Sequence, residues 1–425
     1  MTAIILIASF FVLLFLNVPI AACLGASSVL TLLSMNMSLS VVPVNYYAAS
    51  HKFVLLAIPF FILAGNIMDR AQISTKLIDL ARSLVGHKKG GLAIACVLVA
   101  CFFAAISGSG PATVSALGLI LIPALVDVGY RPASSSALMA TAGAIGVIIP
   151  PSISFVVYGS ITGTSISKLF MGGIIPGLLM GLCLIIAMIL ANRKDNILVL
   201  PKTSAAERWK SFRNASWGLL MPVIILGGIY GGIFTPTEAA AVAAVYGLIV
   251  GLFIYRTVKL KDLYRIFVDS ASATAVVMFI VCAASLFSYV VTVSGIAAAA
   301  GSTLTNIASG NKIIFLLIVN VILLIAGCFI DGTSAFYIFT PIMFPVSTAL
   351  GIDPVAFGVM MTMNLAIGQV TPPVGINLYV ACPLGHVNIK DICKAVIPFI
   401  IASLVALTLI TYIPSIVTCL PSLLK

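Results

Sequence analysis

Charge is what this sequence has least of. Only 8% of its 425 residues are Asp, Glu, Lys or Arg, and 61% are hydrophobic. A soluble protein of this length needs a polar coat that so few ionisable groups cannot make. Soluble enzymes, secreted disulfide scaffolds and disordered chains are excluded together. No CxxC occurs, and the nine cysteines lie mostly inside apolar runs, so they imply no redox or disulfide role. His51, His87 and His386 form no ligand pattern, and GxSxG, HExxH and Walker motifs are all missing. Neither an intramembrane enzyme nor an ATP-driven pump has support. The formal charge of +11 does not point to nucleic acid, because the basic residues sit in short stretches between apolar runs, where the lipid bilayer's anionic headgroups are the partner. Met1 to Pro19 has no Lys or Arg ahead of its apolar stretch and is expected to be a retained first helix, not a cleaved leader.

What is present is an all-α, polytopic membrane pattern. Runs long enough to cross a bilayer, about 20 residues each, fall near 4–33, 53–68, 91–126, 135–160, 169–192, 217–235, 238–255, 267–294, 312–350, 355–382 and 393–417. Two are too long for one crossing and carry small-residue breaks: Ser107-Gly108-Ser109-Gly110-Pro111 within 91–126 and Asp331-Gly332-Thr333-Ser334 within 312–350. A helix that enters, breaks and returns is a re-entrant hairpin, allowed where the broken backbone is shielded from lipid. With both runs taken as hairpins, eighteen of the 22 basic residues fall on one side, at 70–89, 131, 193–213, 256–265 and 390–394. Lys52, Lys168, Lys312 and Lys425 remain on the other, as the positive-inside rule requires. Ser204 and Glu207 have capping-box spacing, and Trp209, Phe212 and Trp217 stand among Arg208, Lys210 and Arg213. This predicts a helix over 203–216 lying in the cytoplasmic interface.

The chain repeats itself. Ala144-Ile145-Gly146 followed by Pro150-Pro151 matches Ala366-Ile367-Gly368 followed by Pro372-Pro373 at a shift of 222 residues. The same ungapped shift superposes Gly110 on Gly332, Pro123 on Pro345, Gly129 on Gly351, Pro132 on Pro354 and Pro176 on Pro398. Gly and Pro matches reflect backbone geometry, not apolar composition. The charge count gives the two halves inverted topology, with the crossing at 217–235 supplying the inversion. Inverted repeats with paired broken helices are the architecture of secondary transporters, whose sites lie at the midplane between the repeats.

Each half contributes a hairpin tip and a Gly-x3-Pro-Pro break. Proline lacks an N–H, so carbonyls around each break are left without partners and are free to bind a cation. Na⁺ prefers hard oxygen ligands. One candidate site joins Ser107, Gly108 and Ser109 to the carbonyls of Gly146 to Pro151; the other joins Asp331, Gly332 and Thr333 to the stretch Gly368 to Pro373. Asp331 is the one acidic residue deep in an apolar run, a position that marks function in membranes; it is also a favoured helix cap. No Lys or Arg lies near either tip in sequence. An anionic substrate would then meet bound cations, half-helix ends and the polar groups of Ser109, Thr113, Ser152, Ser154, Thr333 and Asn377. Such hydroxyls often bond only their own backbone. Thr235, Pro236 and Glu238 have the form of a capped helix start.

The strings SGSGPATVSALG at 107–118, GVIIPPSI at 146–153, GGIFTPTEAAAVAAVYG at 231–247 and IGQVTPPVGINLYV at 367–380 resemble the large membrane subunit of tripartite ATP-independent periplasmic (TRAP) transporters, over nearly the whole chain. The resemblance implies a Na⁺-driven importer of organic acids in the bacterial inner membrane, working by an elevator motion. It implies two partners, a small four-helix membrane subunit and a periplasmic substrate-binding protein. It places two or more coupling Na⁺ ions, one at Ser107, Ser109, Gly146, Ile149 and Pro151 and one at Asp331, Thr333, Gly368, Thr371 and Pro373. The sequence is most similar to the sialic acid members, with C4-dicarboxylate members sharing the motifs. The expected division is scaffold at 1–90, 166–310 and 386–425 and transport unit at 91–165 and 311–385, with the N-terminus cytoplasmic and the C-terminus periplasmic.

Two other functions compete. A stand-alone Na⁺/dicarboxylate symporter would need no binding protein. A passive channel would conduct without a Na⁺ gradient.

Overall fold

The computed structural model describes residues 2–88, 90–193, 195, 197–199 and 201–423. Met1 of the expected first helix, and Lys89, Lys194 and Lys425 of the charge count, lie outside the described residues. Among those described there are helices and no strands. In chain order the helices are α1 (Thr2–Phe15), α2 (Ile20–Ser34), α3 (Val41–Ser50), α4 (Ala57–Arg70), α5 (Ile73–Val85), α6 (Gly91–Ser107), α7 (Gly110–Asp127), α8 (Pro132–Ala144), α9 (Ile153–Thr162) and α10 (Ile166–Ala191). There follow α11 (Ala205–Tyr230), α12 (Pro236–Ile249), α13 (Leu260–Val293), α14 (Ile296–Ala308), α15 (Lys312–Gly327), α16 (Gly332–Ala349), α17 (Pro354–Gly368), α18 (Ile376–Leu384), α19 (Ile389–Ala395) and α20 (Ile397–Tyr412). Six helical spans among the described residues are long and apolar enough to cross a membrane, and α19 with α20, bent by 45°, makes a seventh.

The repeat appears in register. α7 and α16 each have 18 residues and differ by the 222-residue shift at both ends. Both long runs break where small residues stand. Gly108 takes a left-handed φ of 60°, a conformation that costs other residues strain. Ser109 is extended, and Pro111 sits in the first turn of α7, where its missing N–H costs nothing. In the other half Asp331 caps α16. α6 packs against α7, and α15 against α16. The runs 135–160 and 355–382 break without such packing between their halves. Across the two repeats, α18 packs on α7 and α9 on α16, and the equivalent helices α10 and α20 lie against each other.

Contacts gather the basic segments at one end of the helices. Arg131 pairs with Asp195 at 3.1 Å, and the Leu198 N–H donates to the Val128 carbonyl. The Thr203 hydroxyl donates to the Ser83 carbonyl at 2.8 Å. The Lys76 ammonium lies 4.4 Å from the centre of the Tyr255 ring, whose hydroxyl bonds the Asn214 carbonyl. The less basic end carries Lys52, bonded to the Ser160 carbonyl at 2.9 Å, and Lys312, near the Gly351 carbonyl.

Three expectations are corrected. The run 4–33 is two helices, not one crossing: a left-handed Asn17 and Pro19 end α1, and α1 and α2 pack side by side. Both reach α13, with Phe10 5.9 Å from Phe287 and Gly25 facing Ala283. The count that put the N-terminus on the basic side assumed one crossing and does not carry over. Second, 203–216 is not a separate interfacial helix. The Ser204–Glu207 capping box is present, but the helix it starts runs unbroken to Tyr230, because nothing between Arg213 and Trp217 breaks the helical ladder. Third, the run 393–417 bends between α19 and α20. The capped start at Thr235, Pro236 and Glu238 is as the sequence predicts.

Candidate ion and substrate site at the two helix tips

The first tip is built by short-range hydroxyl bonding. The Ser107 hydroxyl lies 2.7 Å from that of Thr113 and 3.2 Å from the Ser109 carbonyl oxygen, to which Thr113 also donates at 2.8 Å. Ser107 and Thr113 are buried. The tip is pressed into the first break. A Cβ on Gly108 would come within 2.8 Å of the Pro151 carbonyl oxygen, and one on Gly146 within 2.8 Å of the Thr113 hydroxyl and 3.1 Å of the Ser109 carbonyl. Ser107, Ser109, Gly146 and Pro151 are therefore neighbours. Among the described residues no N–H or O–H donates to the carbonyls of Gly146, Ile149 or Pro151. For Gly146 that follows from Pro150, whose missing N–H would have been its helical donor; Ile149 and Pro151 stand in the non-helical break itself. The Ile149 side chain faces Gly177 of α10, leaving only its backbone for the break. Ser152 spends its hydroxyl on the Val147 carbonyl.

The second tip is more open. Asp331 is half-buried and accepts from the Ser334 N–H at 3.1 Å and the Ser334 hydroxyl at 2.6 Å, so it caps α16. Gly327, at the end of α15, lies against Gly368. The Gly368 carbonyl accepts from the Thr371 N–H, and the Thr371 hydroxyl donates to the Ile367 carbonyl. Pro373 is exposed, and among the described residues no hydrogen bond joins Asp331 or Thr333 to Thr371 or Pro373.

The halves are cross-linked at the tips. Asn377 of the second half is fully buried beside Gly110 of the first tip and donates to the Ala140 carbonyl at 3.1 Å. Ser154 of the first half lies by Gly332 of the second tip. Gln369 stands between the tips. Its Oε1 would be 2.6 Å from a Cβ on Gly110, and its Nε2 3.9 Å from one on Gly332. Gln369 falls within the stretch Gly368 to Pro373 expected from sequence, but its side chain is given no role there. Its signal was there, since the shift pairs this polar side chain with Val147.

A cavity of about 380 Å³ runs from Ser107, Ser109 and Ser115 to Asn66 and Asp69 of α4 and Val277 of α13. Asn66 and Asp69 also line a polar recess with Arg70, Gln72 and Asp269, at the end where the basic segments gather. The recess at that end therefore adjoins the cavity at the first tip through Asn66 and Asp69. Asn66, bonded to Ser270 at 2.8 Å, and Asp69 were also missed, because they stand at the edge of an apolar run and only folding brings them to the tip.

Duplicated halves, paired tips and breaks, and a cavity ending at them define a helical, multi-pass membrane transport protein. The chain belongs to the family described as tripartite ATP-independent periplasmic transporter, DctM component, which it matches over residues 7–416. It is 43% identical to the C4-dicarboxylate TRAP transporter large permease protein DctM of Pseudomonas aeruginosa, over 94% of this chain and 93% of that protein. It is 43% identical to the isethionate TRAP transporter permease protein DctMQ of Oleidesulfovibrio alaskensis, over 97% of this chain and 65% of that one. Identity to the 2,3-diketo-L-gulonate TRAP transporter large permease protein YiaN of Escherichia coli is 38%, over 86% of each. The crystal structure of the Alcanivorax borkumensis YdaH transporter shares the fold, with a TM-score of 0.60 at 15% identity, covering 87% of this chain and 86% of that one. Sialic acid is named for none of these relatives, and the sialic acid expectation is not carried forward.

Proposed function

We propose that this chain is the large permease of a Na⁺-driven importer of a small organic acid anion, of the C4-dicarboxylate class. The names of the relatives in Pseudomonas aeruginosa, Rhodobacter capsulatus and Vibrio cholerae support that class. The observation that supports the ion reading is the first tip pressed into the first break, where the Pro151 carbonyl lies against Gly108 and the Ser109 carbonyl against Gly146, while the carbonyls of Gly146, Ile149 and Pro151 have no donor among the described residues. Unpaired acceptors there are costly unless a donor or cation meets them. One Na⁺ would sit at Ser107, Ser109, Gly146, Ile149 and Pro151, and a second at Asp331, Thr333, Gly368, Thr371 and Pro373. The second tip would close onto Thr371 and Pro373 when its ion binds. The substrate would lie beside both, against Ser109, Thr113, Ser152, Ser154, Thr333 and Asn377. The cavity to the tip carries no Lys or Arg, so sodium would supply the charge that a carboxylate needs.

The mechanism would be an elevator. The moving unit would comprise α6 to α9 and α15 to α18, as the sequence division has it, and, unlike that division, would also take in α10 and α20, which pack on each other and on α17. The remaining helices would form the scaffold. With the basic end cytoplasmic, α20 runs to a periplasmic C-terminus and the cavity to the tip opens inward. Each net charge carried inward across about 100 mV yields about 2.3 kcal/mol, so more than one Na⁺ per substrate would drive strong accumulation.

The partners would be a small membrane subunit and a periplasmic binding protein. The DctMQ relative, of which this chain spans 65%, fits a fused second membrane subunit. The test is uptake of radiolabelled succinate into proteoliposomes holding this chain and its small subunit, with and without an inward Na⁺ gradient and the binding protein. Uptake needing both the Na⁺ gradient and the binding protein supports the reading. Uptake by this chain alone would favour a stand-alone symporter, and conductance without a Na⁺ gradient a channel.

A further inference from the structure

We infer that Gln369 is the positioning residue that couples the two ion sites; the inference rests on the sodium-driven reading above. One amide lies between the tips, packed against Gly110 and directed toward Gly332. Its Oε1 faces Gly110, the first residue of α7, and its Nε2 faces Gly332, the first residue of α16. Gln369 is about nine-tenths buried, and its Oε1 has no partner among the described residues. Its backbone belongs to the second break, donating to the Leu365 carbonyl and accepting from the Asn377 N–H at 3.0 Å. Asn377 in turn sits against Gly110 and bonds the first half through Ala140.

The arrangement is one-sided. The first-half counterpart of Gln369 is Val147, which has no polar group to offer the tips, and that of Asn377 is Phe155. Twofold packing alone would not require an amide here. A cation that orders Gly368 to Pro373 also orders Gln369, because the residue lies inside that stretch. Gln369 then fixes Gly110, whose neighbour Ser109 supplies a carbonyl to the first site. Each ion therefore lowers the ordering cost that the other must meet, which is positive cooperativity carried by one side chain.

The experiment measures Na⁺ dependence in two ways: succinate uptake by proteoliposomes of the chain with its small subunit, and the Na⁺-induced rise in melting temperature of the same complex in detergent. Wild type is expected to show a Hill coefficient approaching about 2 in both measurements, and Gln369→Val, which copies Val147, a lower value in uptake, where both ions are still required, and a value near about 1 in the melting-temperature titration. Gln369→Glu keeps an oxygen toward Gly110 but loses the N–H group toward Gly332, and is expected to lose cooperativity likewise. If Gln369→Val does not insert, Gln369→Glu carries the test. An unchanged Hill coefficient in the inserted variants, in both measurements, would overturn the inference and leave the sodium reading standing. Wild type with no Na⁺ dependence in either measurement would instead remove the sodium reading itself.

Discussion

Gly108→Ala tests whether the contact between the first tip and the first break is the working part of the site. Two costs add at this position. A left-handed φ of 60° costs a residue with a Cβ about 1–2 kcal/mol. The new methyl would also stand 2.8 Å from the Pro151 carbonyl oxygen, a backbone atom held between two prolines and Ser152, and overpacking of that kind costs about 1–3 kcal/mol. Together they come to about 2–5 kcal/mol, or about 30-fold to several thousand-fold in an equilibrium. An ion-free tip can relax away from Pro151 and relieve part of this. We therefore expect the Na⁺ concentration for half-maximal uptake to rise at least about tenfold, with insertion and partner assembly intact. Gly227→Ala is the matched control. Gly227 lies on α11 with nothing within 4 Å of its Cβ position, and the change should stabilise that helix by about 0.5–1 kcal/mol without altering Na⁺ dependence. Proteoliposome uptake titrated with Na⁺ measures both. A Gly108→Ala protein with half-saturation within twofold of wild type would refute the reasoning.

Three further outcomes follow from the geometry. Asp331→Ala removes both the α16 cap, a loss of about 1 kcal/mol, and the carboxylate, whereas Asp331→Asn keeps an acceptor for the Ser334 N–H. Na⁺-driven uptake should be lost in both, and normal Na⁺ affinity in Asp331→Asn would reduce the residue to a cap. Lys52, whose pKa burial pushes down, ties the segment before α4 to the Ser160 carbonyl at the end of α9. Lys52→Met should release about 1 kcal/mol of that tie and change maleimide labelling of Ala273→Cys, in the cavity, about fivefold; unchanged labelling would show the bond plays no part in the choice of state. Cysteines placed at Thr2 and Ser34 should be reached by an impermeant reagent from the same face of the membrane, because α1 and α2 pack side by side. Labelling from opposite faces would restore a single crossing.

Much of the site was legible because its signals are matters of covalent chemistry. Proline deletes an N–H wherever it stands, so Pro150-Pro151 marks a break with unpartnered carbonyls before any packing is known; at Pro372-Pro373 that expectation fails, because the Thr371 and Asn377 N–H groups meet the Gly368 and Gln369 carbonyls. Gly108 in its Ser-Gly-Ser setting announces a turn that other residues resist. The repeat shift was readable for the same reason, and α7 and α16 answer it at both ends. The run 4–33 was misread because one Asn-Val-Pro interruption does not show whether a helix kinks or folds back; packing against α13 decides that. Helix 203–216 was cut short because aromatic and basic residues suit an interface equally well whether the helix ends there or runs on.

The sequence by itself determined an all-helical membrane chain, two related halves, and the four places where helices must break, since composition and backbone restrictions act residue by residue. Tertiary structure alone decided which breaks face one another, because that depends on how remote helices pack. It brought Asn377 to Gly110, Ser154 to Gly332, Asp69 into the cavity below Ser109, and a single glutamine between both tips. Side chains more than two hundred residues apart become neighbours there because helices of the two halves pack on one another.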